Sequence, residues 1–315
     1  MLDKLKLLGE INFEDQMSNY TTYKTGGLIK YLFRPNTKED LIKGIKILKE
    51  EKIKYFILGN GSNIIFQDNY FDGVVIKLDK LNNYEIDEDN LILYAEAGVY
   101  LPLLSNKLSK MGYSVFEFAS GLPGTIGGSI YGNAEAYKVS ISENLIDVDI
   151  LKDDKVITLK KEDITFEYRT SSFKENKDSI ILSARFKLEK EDPNLLMEKI
   201  KERTQRRLNT QPLEYPSAGS TFRNLHKNDY EEIFKKYNLP VNENGYVPAG
   251  YLIEKCGLKG YTIGGAKVSE KHANFIINFE NANSKDIIEL INYVKEKIKE
   301  KYEIDLILEQ EIINL

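Results

Sequence analysis

Two stretches decide the fold class: Tyr55-Phe-Ile-Leu-Gly59-Asn60-Gly61-Ser62-Asn63 and Ser120-Gly121-Leu-Pro-Gly124-Thr125-Ile-Gly127-Gly128-Ser129. In the first, a short apolar strand runs straight into glycine. In both, glycine lets backbone N–H groups turn inward and lets an anion approach with no Cβ in the way. Ser62, Ser120 and Thr125 add hydroxyl donors. The commonest nucleotide signatures are missing. Gly59-x-Gly61-x-x-Ile64 lacks the third glycine of a dinucleotide fingerprint, and no Gly-Lys-Ser/Thr closes either segment as in a P-loop. One such cluster is ordinarily a tight turn. Two in the same half of a chain read as a diphosphate cradle that needs neither Lys nor Mg²⁺. It would be built from Gly59, Asn60, Gly61, Ser62 and Asn63, and from Ser120, Gly121, Gly124, Thr125, Gly127 and Gly128.

Outward from these clusters the pattern is mixed α and β in two parts. Thr37-x-x-Asp40 opens a helix with Leu41, Ile45 and Leu48 on one face. Strands are expected over 73–78, 91–97 and 180–188, and around the alternating Ile146, Val148 and Ile150. A helix over 103–111 stops at Gly112. Pro193 suits the first turn of a helix to about residue 208. Helices follow at about 229–237 and 248–256. Ser284 is placed as the cap of a last helix carrying Ile287, Ile288, Ile291, Val294 and Ile298, and a strand over 304–313 ends the chain. The expected division is 1–203, in two subdomains of roughly 1–80 and 81–203, and 204–315, because Pro193 and Pro212 punctuate the region between.

Composition excludes several classes. At about 150 residues per domain, 315 residues make about two domains, and 42% hydrophobic with 30% charged residues allows large cores. Lys+Arg 44 against Asp+Glu 49 gives a net charge of −5, which argues against a broad basic face for nucleic acid. Cys256 stands alone, so no intrachain disulfide forms, and with only His226 and His272 besides, no metal site is expected. No run approaches the ~18–20 apolar residues of a membrane span. Charges break up the first ten residues too often for a signal peptide. A cytoplasmic protein acting on a small molecule is the expectation, with no membrane partner and the oligomeric state left open.

Eight motifs in order carry a resemblance. They are Tyr20-Thr-Thr-Tyr-Lys-Thr-Gly-Gly27, the two glycine clusters, Glu167-Tyr-Arg-Thr-Ser-Ser-Phe-Lys174, Pro216-Ser-Ala-Gly-Ser-Thr-Phe-Arg-Asn224, Ala249-Gly-Tyr-Leu-Ile-Glu254, Gly257-Leu-Lys-Gly260 and Leu308-Glu-Gln-Glu-Ile312. From about residue 18 to 313 the chain resembles the UDP-N-acetylenolpyruvoylglucosamine reductase (MurB) family. The lack of an insertion between Arg169 and Ser220 is similar to its shorter, type II subclass. The resemblance implies an α+β protein: an FAD-binding fold of the vanillyl-alcohol oxidase/PCMH type in the first part, and a smaller α+β substrate-binding domain ending in a strand with a catalytic Glu. It implies non-covalent FAD reduced by NADPH, and reduction of the enolpyruvyl ether of UDP-N-acetylglucosamine to UDP-N-acetylmuramate in peptidoglycan precursor synthesis.

Residue roles follow from the same resemblance. Arg169 and Glu311 would steady the substrate carboxylate and the enolate made when hydride adds, and Ser220 would donate the proton to carbon. An Arg suits a carboxylate because it is planar, always charged and offers paired donors. Glu311 must be protonated or share a proton to avoid repelling an enolate. These three lie 51 and 91 residues apart, and no spacing rule would have found them. Asn224, Lys259 and His272 match positions near the nucleotide sugar, Lys259 at its diphosphate. Cys256 reads as core beside Leu252 and Ile253. Two departures stand out. Glu135 and Lys138 replace glycines of the family pattern, so the loop must adjust wherever φ is positive. Arg223 and Leu225 replace Lys and Pro, the second loosening a turn. The alternative is another flavin-dependent oxidase or dehydrogenase of the same fold class. A flavin tethered through His is disfavoured, because neither histidine lies in a glycine cluster.

Overall fold

The computed structural model describes residues 1–176 and 178–314. Backbone contacts divide the chain into two units, each with its own apolar core, and neither is one continuous stretch. The first comprises Met1–Asp15, Ile29–Asn60 and Tyr70–Arg206. The second comprises Gln16–Leu28, Gly61–Asn69 and the chain from Arg207 onward. The division read from sequence ran 1–203 and 204–315. Here 16–28 and 61–69 join the later residues instead, because Tyr23 and Ile65 are fully buried in the second core with Phe222, Leu252 and Ile291.

The first unit holds two sheets. Its four-stranded sheet runs Gly9–Gln16, Leu28–Pro35, Phe71–Lys77, Tyr55–Leu58 in spatial order. The last two pairings are parallel, with the helix Lys38–Glu50 lying between Leu28–Pro35 and Tyr55–Leu58 in the chain. Thr37 caps that helix by accepting from the Asp40 amide, and Leu41, Ile45 and Leu48 are buried as their spacing requires. The first two strands were not legible from alternation. Leu28–Pro35 carries Lys30 and Arg34, whose charges are met across space by Asp72 and Asp79. The five-stranded sheet is antiparallel throughout, in the order Lys155–Lys160, Leu145–Lys152, Ile180–Lys187, Ile92–Glu96, Tyr84–Asp87. The helix Leu101–Lys110 ends at Met111, and Gly112 supplies the left-handed residue beyond it, at φ +84°.

The second unit packs the helices Lys227–Lys236, Ala249–Lys255 and Ser284–Tyr302 with a small antiparallel sheet, Thr262–Ile263, Ala266–Val268 and Ile276–Asn278. On the last helix Ile287, Leu290, Ile291, Val294 and Ile298 are buried. Its cap is Asn283 rather than Ser284. Asn283 and Asp286 form a reciprocal capping box, while the Ser284 hydroxyl donates to Asp68 at 2.7 Å. The expected strand over 304–313 contracts to Glu311–Ile313, parallel to Ile64–Phe66. Residues 307–309 instead bond to Thr221 and Arg223, so the segment changes partner midway and forms no single ladder.

Candidate active site

The two glycine-rich segments meet in the first unit. A Cβ on Gly59 would lie 2.9 Å from Thr125 Oγ1, and Asn60 Nδ2 donates to the Pro123 carbonyl at 2.7 Å. Thr125 then accepts from the Gly128 amide and begins the short helix Ile126–Tyr131. Gly127 is glycine because Ala97 Cβ would stand 2.8 Å from its side chain. The rest of the first cluster belongs to the second unit. There Gly61, at φ +63°, passes so close to Tyr20 that a Cβ would meet its carbonyl oxygen at 2.2 Å. The Asn63 amide group is spent on the Glu309 carbonyl at 3.1 Å. Within the first unit, Gly59, Asn60 and residues 120–129 include no Asp or Glu. Backbone amides, hydroxyls and glycine surfaces without acidic side chains suit the diphosphate of FAD. Lys77, which the motifs did not single out, reaches the Gly59 carbonyl at 3.2 Å; burial lowers its pKa, with Asp79 opposing. It lies at the end of a strand 18 residues from the cluster, where a lone Lys carries no signal.

Arg169 lies in the first unit, between the paired strands Phe166–Glu167 and Thr170–Ser171. Its backbone is left-handed, at φ +60°, and its guanidinium lies 5.7 Å from the centre of the Tyr168 ring. A left-handed conformation costs a non-glycine residue about 1–2 kcal/mol and persists where its surroundings enforce it. Here the hairpin is pinned twice. Ser171 Oγ donates to the Tyr131 carbonyl at 2.7 Å, and Asn133 Nδ2 donates to the Glu167 carbonyl at 2.9 Å. The helix begun by Thr125 therefore holds the Arg169 hairpin at its other end. Of the two departures nearby, Glu135 lies in a two-residue strand, whereas Lys138 takes the left-handed conformation at φ +70°.

Ser220 and Glu311 are both in the second unit, on segments bonded to each other. The Glu309 amide donates to the Thr221 carbonyl at 2.9 Å, and Phe222 bridges Leu308. Glu311 opens the strand paired with Ile64–Phe66, its amide donating to the Asn63 carbonyl at 3.0 Å. The Ser220 loop is anchored on its far side by buried Asn274. That side chain accepts from the Phe222 amide at 3.0 Å and donates to the Phe222 carbonyl at 2.8 Å, while the Thr221 amide donates to the Asn274 carbonyl at 2.8 Å. Gln310 reaches the same loop, and the Tyr23 hydroxyl donates to Gln310. Sequence reasoning missed Asn274, Gln310 and Tyr23; a polar residue amid apolar neighbours shows its partners only in three dimensions.

The remaining candidates also fall in the second unit. Asn224 Oδ1 accepts from the Ala249 amide at 3.2 Å, which ties it to the start of the helix Ala249–Lys255. Lys259 pairs with Glu254 at 3.1 Å. His272 sits in a turn before the strand Ile276–Asn278 rather than at its start. Its Nδ1 accepts from the Asn274 amide at 3.2 Å, so the proton of the neutral ring is assigned to Nε2. Burial, and secondarily the charge of Lys259, lower its pKa, against a backbone hydrogen bond that raises it. Leu225 replaces a family proline without leaving a loose turn: it is buried and pairs with Val247. Cys256 is half-buried against the second core, and burial raises its thiol pKa. Among the described residues no group of three His, Cys, Asp or Glu could hold a metal, and no helix is long and apolar enough to cross a membrane.

Comparison with known proteins bears on both units. Residues 29–159 match the profile of an FAD binding domain, and residues 211–313 that of the UDP-N-acetylenolpyruvoylglucosamine reductase C-terminal domain. The chain is 39% identical to the UDP-N-acetylenolpyruvoylglucosamine reductase of Caldanaerobacter subterraneus subsp. tengcongensis, over 99% of this chain and 98% of that one. It is 38% identical to the enzyme of the same name from Bacillus subtilis, covering 98% and 96%. The crystal structure of UDP-N-acetylenolpyruvylglucosamine reductase (MurB) from Thermus caldophilus superposes with a TM-score of 0.77 at 28% identity, covering 97% of this chain and 99% of that one.

Proposed function

Because the chain belongs to the UDP-N-acetylenolpyruvoylglucosamine reductase family, an FAD-containing group of oxidoreductases acting on a nucleotide sugar, we propose that it uses NADPH to reduce the enolpyruvyl ether of UDP-N-acetylglucosamine to UDP-N-acetylmuramate, with Arg169, Ser220 and Glu311 as its catalytic residues. The glycine-rich segments would hold FAD, which would supply hydride chemistry when bound. Reduction places one hydride and one proton across the carbon–carbon double bond. Hydride addition at the carbon distal to the carboxylate would spread negative charge into that carboxylate, and it is this enolate that the side chains must steady. The Arg169 guanidinium binds the carboxylate oxygens through paired donors. Glu311 serves as a hydrogen-bonding partner beside the enolate. Ser220 Oγ–H hands its proton to the remaining carbon and recovers one from solvent. Lys259 and His272 serve the nucleotide sugar, Lys259 as a cation for its diphosphate and neutral His272 as an Nε2–H donor. Asn224 serves the same group through its amide.

The observation that carries this reading is the direct hydrogen bonding between the Ser220 loop and the segment leading into Glu311, which are 91 residues apart in the chain. The test separates the two half-reactions. Ser220→Ala is expected to lower turnover by about 10²–10⁴, through flavin reoxidation by the enolpyruvyl nucleotide. Bleaching of the flavin by NADPH should be unchanged, because that step needs no proton on the sugar. Equal slowing of both steps in stopped-flow absorbance would remove Ser220 from this role.

A further inference from the structure

Gln310 stands between Glu309 and Glu311, and its side chain is buried, with only 3% of the residue exposed. Its amide nitrogen lies 3.2 Å from the Ala218 carbonyl, 3.2 Å from that of Gly219 and 3.4 Å from that of Ser220. One NH₂ group thus spans three successive carbonyls of the loop carrying Ser220. That convergence depends on Gly219, whose backbone is left-handed at φ +76° with nothing within 4 Å of where a Cβ would stand. Glycine is there for its dihedral, not for lack of space.

The amide is oriented from behind. Tyr23 is fully buried, and its hydroxyl donates to Gln310 Oε1 at 3.1 Å. Burial raises the phenol far above its ordinary range, so it stays protonated and remains a donor. With Oε1 so engaged, the NH₂ end of the side chain faces the loop. Tyr23 is itself fixed, because its carbonyl accepts from Asn278 Nδ2 at 2.9 Å. Gln310 is buried in the bend just before the strand Glu311–Ile313, so the residue that grips the loop immediately precedes Glu311 in the chain. We infer that Gln310, oriented by Tyr23, is the positioning residue that couples the backbone of Ser220 to the strand bearing Glu311, setting the hydroxyl for proton delivery without touching substrate.

This inference rests on the role given to Ser220 above. Its test uses the FAD-loaded protein and four variants: Gln310→Met, which keeps side-chain length but cannot donate; Tyr23→Phe, which removes only the hydroxyl; Ser220→Ala; and Ser220→Ala combined with Gln310→Met. Gln310→Met is expected to slow flavin reoxidation by the nucleotide about 10–100-fold and Tyr23→Phe about 3–10-fold, as for loss of orientation at a proton donor. Reduction by NADPH and substrate KM should stay within about twofold, and the solvent isotope effect on reoxidation should rise as proton transfer becomes more limiting. Hydrogen exchange over residues 218–221 should quicken in the Gln310→Met and Tyr23→Phe proteins. In the Ser220→Ala background Gln310→Met should add nothing further, since a residue acting through Ser220 has nothing left to position.

Multiplying losses in the double variant, or a folded Gln310→Met or Tyr23→Phe protein with unchanged reoxidation, would overturn the positioning role while leaving Ser220 as donor. A Ser220→Ala protein with full reoxidation would overturn both. Should Gln310→Met not fold, Tyr23→Phe alone decides: unchanged reoxidation and isotope effect reject the coupling.

Discussion

Lys138 and Arg169 hold left-handed backbones within the same unit, at φ +70° and +60°, yet their consequences differ. Lys138 stands where the family pattern has glycine, so Lys138→Gly relieves strain, less the extra chain entropy of glycine. A stabilisation of about 0.5–1 kcal/mol is expected, read as a raised midpoint in thermal or urea unfolding. Arg169→Gly would relieve the same kind of strain while removing the charge. Arg169→Ala is expected to lower nucleotide-dependent reoxidation by about 10²–10³, the loss typical of one stabilising donor, with NADPH-dependent bleaching intact in stopped-flow traces. The identity of Lys138 is plain in the sequence, but its dihedral is not. What forces it is where the chain must turn between the strand pairs Glu135–Ala136 and Val139–Ser140, and that is a property of the folded loop.

At the scale of elements, local signals read well where both signal and response are local. Thr37 caps its helix, and Gly112 ends the helix before it in the left-handed conformation, as their neighbours in sequence indicate. The last helix shows the limit. Ser284 and Asn283 are both good caps, and the choice fell to Asn283 because Asp68, over 200 residues away, engages Ser284. Asn283→Ala is expected to cost about 1 kcal/mol through loss of the capping box, measurable by urea denaturation. Asp68→Ala would test whether Ser284 then competes for the cap. The terminal segment departs from one long strand for a similar reason: alternation predicts extended backbone, but not that residues 307–309 and 311–313 bond to different partners.

Across the whole molecule, the chain changes unit several times, so neither unit can be cut out as one segment. A fragment beginning at residue 207 would lack Tyr23 and Ile65, both fully buried in the second core. It is expected to show no cooperative heat-absorption peak when expressed alone. Stability should also depend on pH through His272. Its folded pKa is lowered from 6.5, first by burial, so the unfolded chain binds the proton more tightly. That contribution is fully present above pH 6.5 and is lost as pH falls through 6.5 toward the lower folded value. His272→Gln should flatten the fall in unfolding midpoint between pH 7.5 and 5.

Sequence alone determined the two-part α+β character, the paired glycine segments and, through eight ordered motifs, the family, and by resemblance it put forward Arg169, Ser220 and Glu311 as the catalytic candidates. Helix periodicity, turn glycines and motif order are written in residues near one another along the chain. Only the tertiary structure decided that 16–28 and 61–69 join the second unit, that Asn60 ties the glycine clusters together, and that the amide of Gln310 grips the Ser220 loop. Those outcomes depend on which buried polar groups find partners tens to hundreds of residues away. The satisfaction of a buried hydrogen-bonding group is a condition on the folded space around it, and neighbouring letters do not encode it.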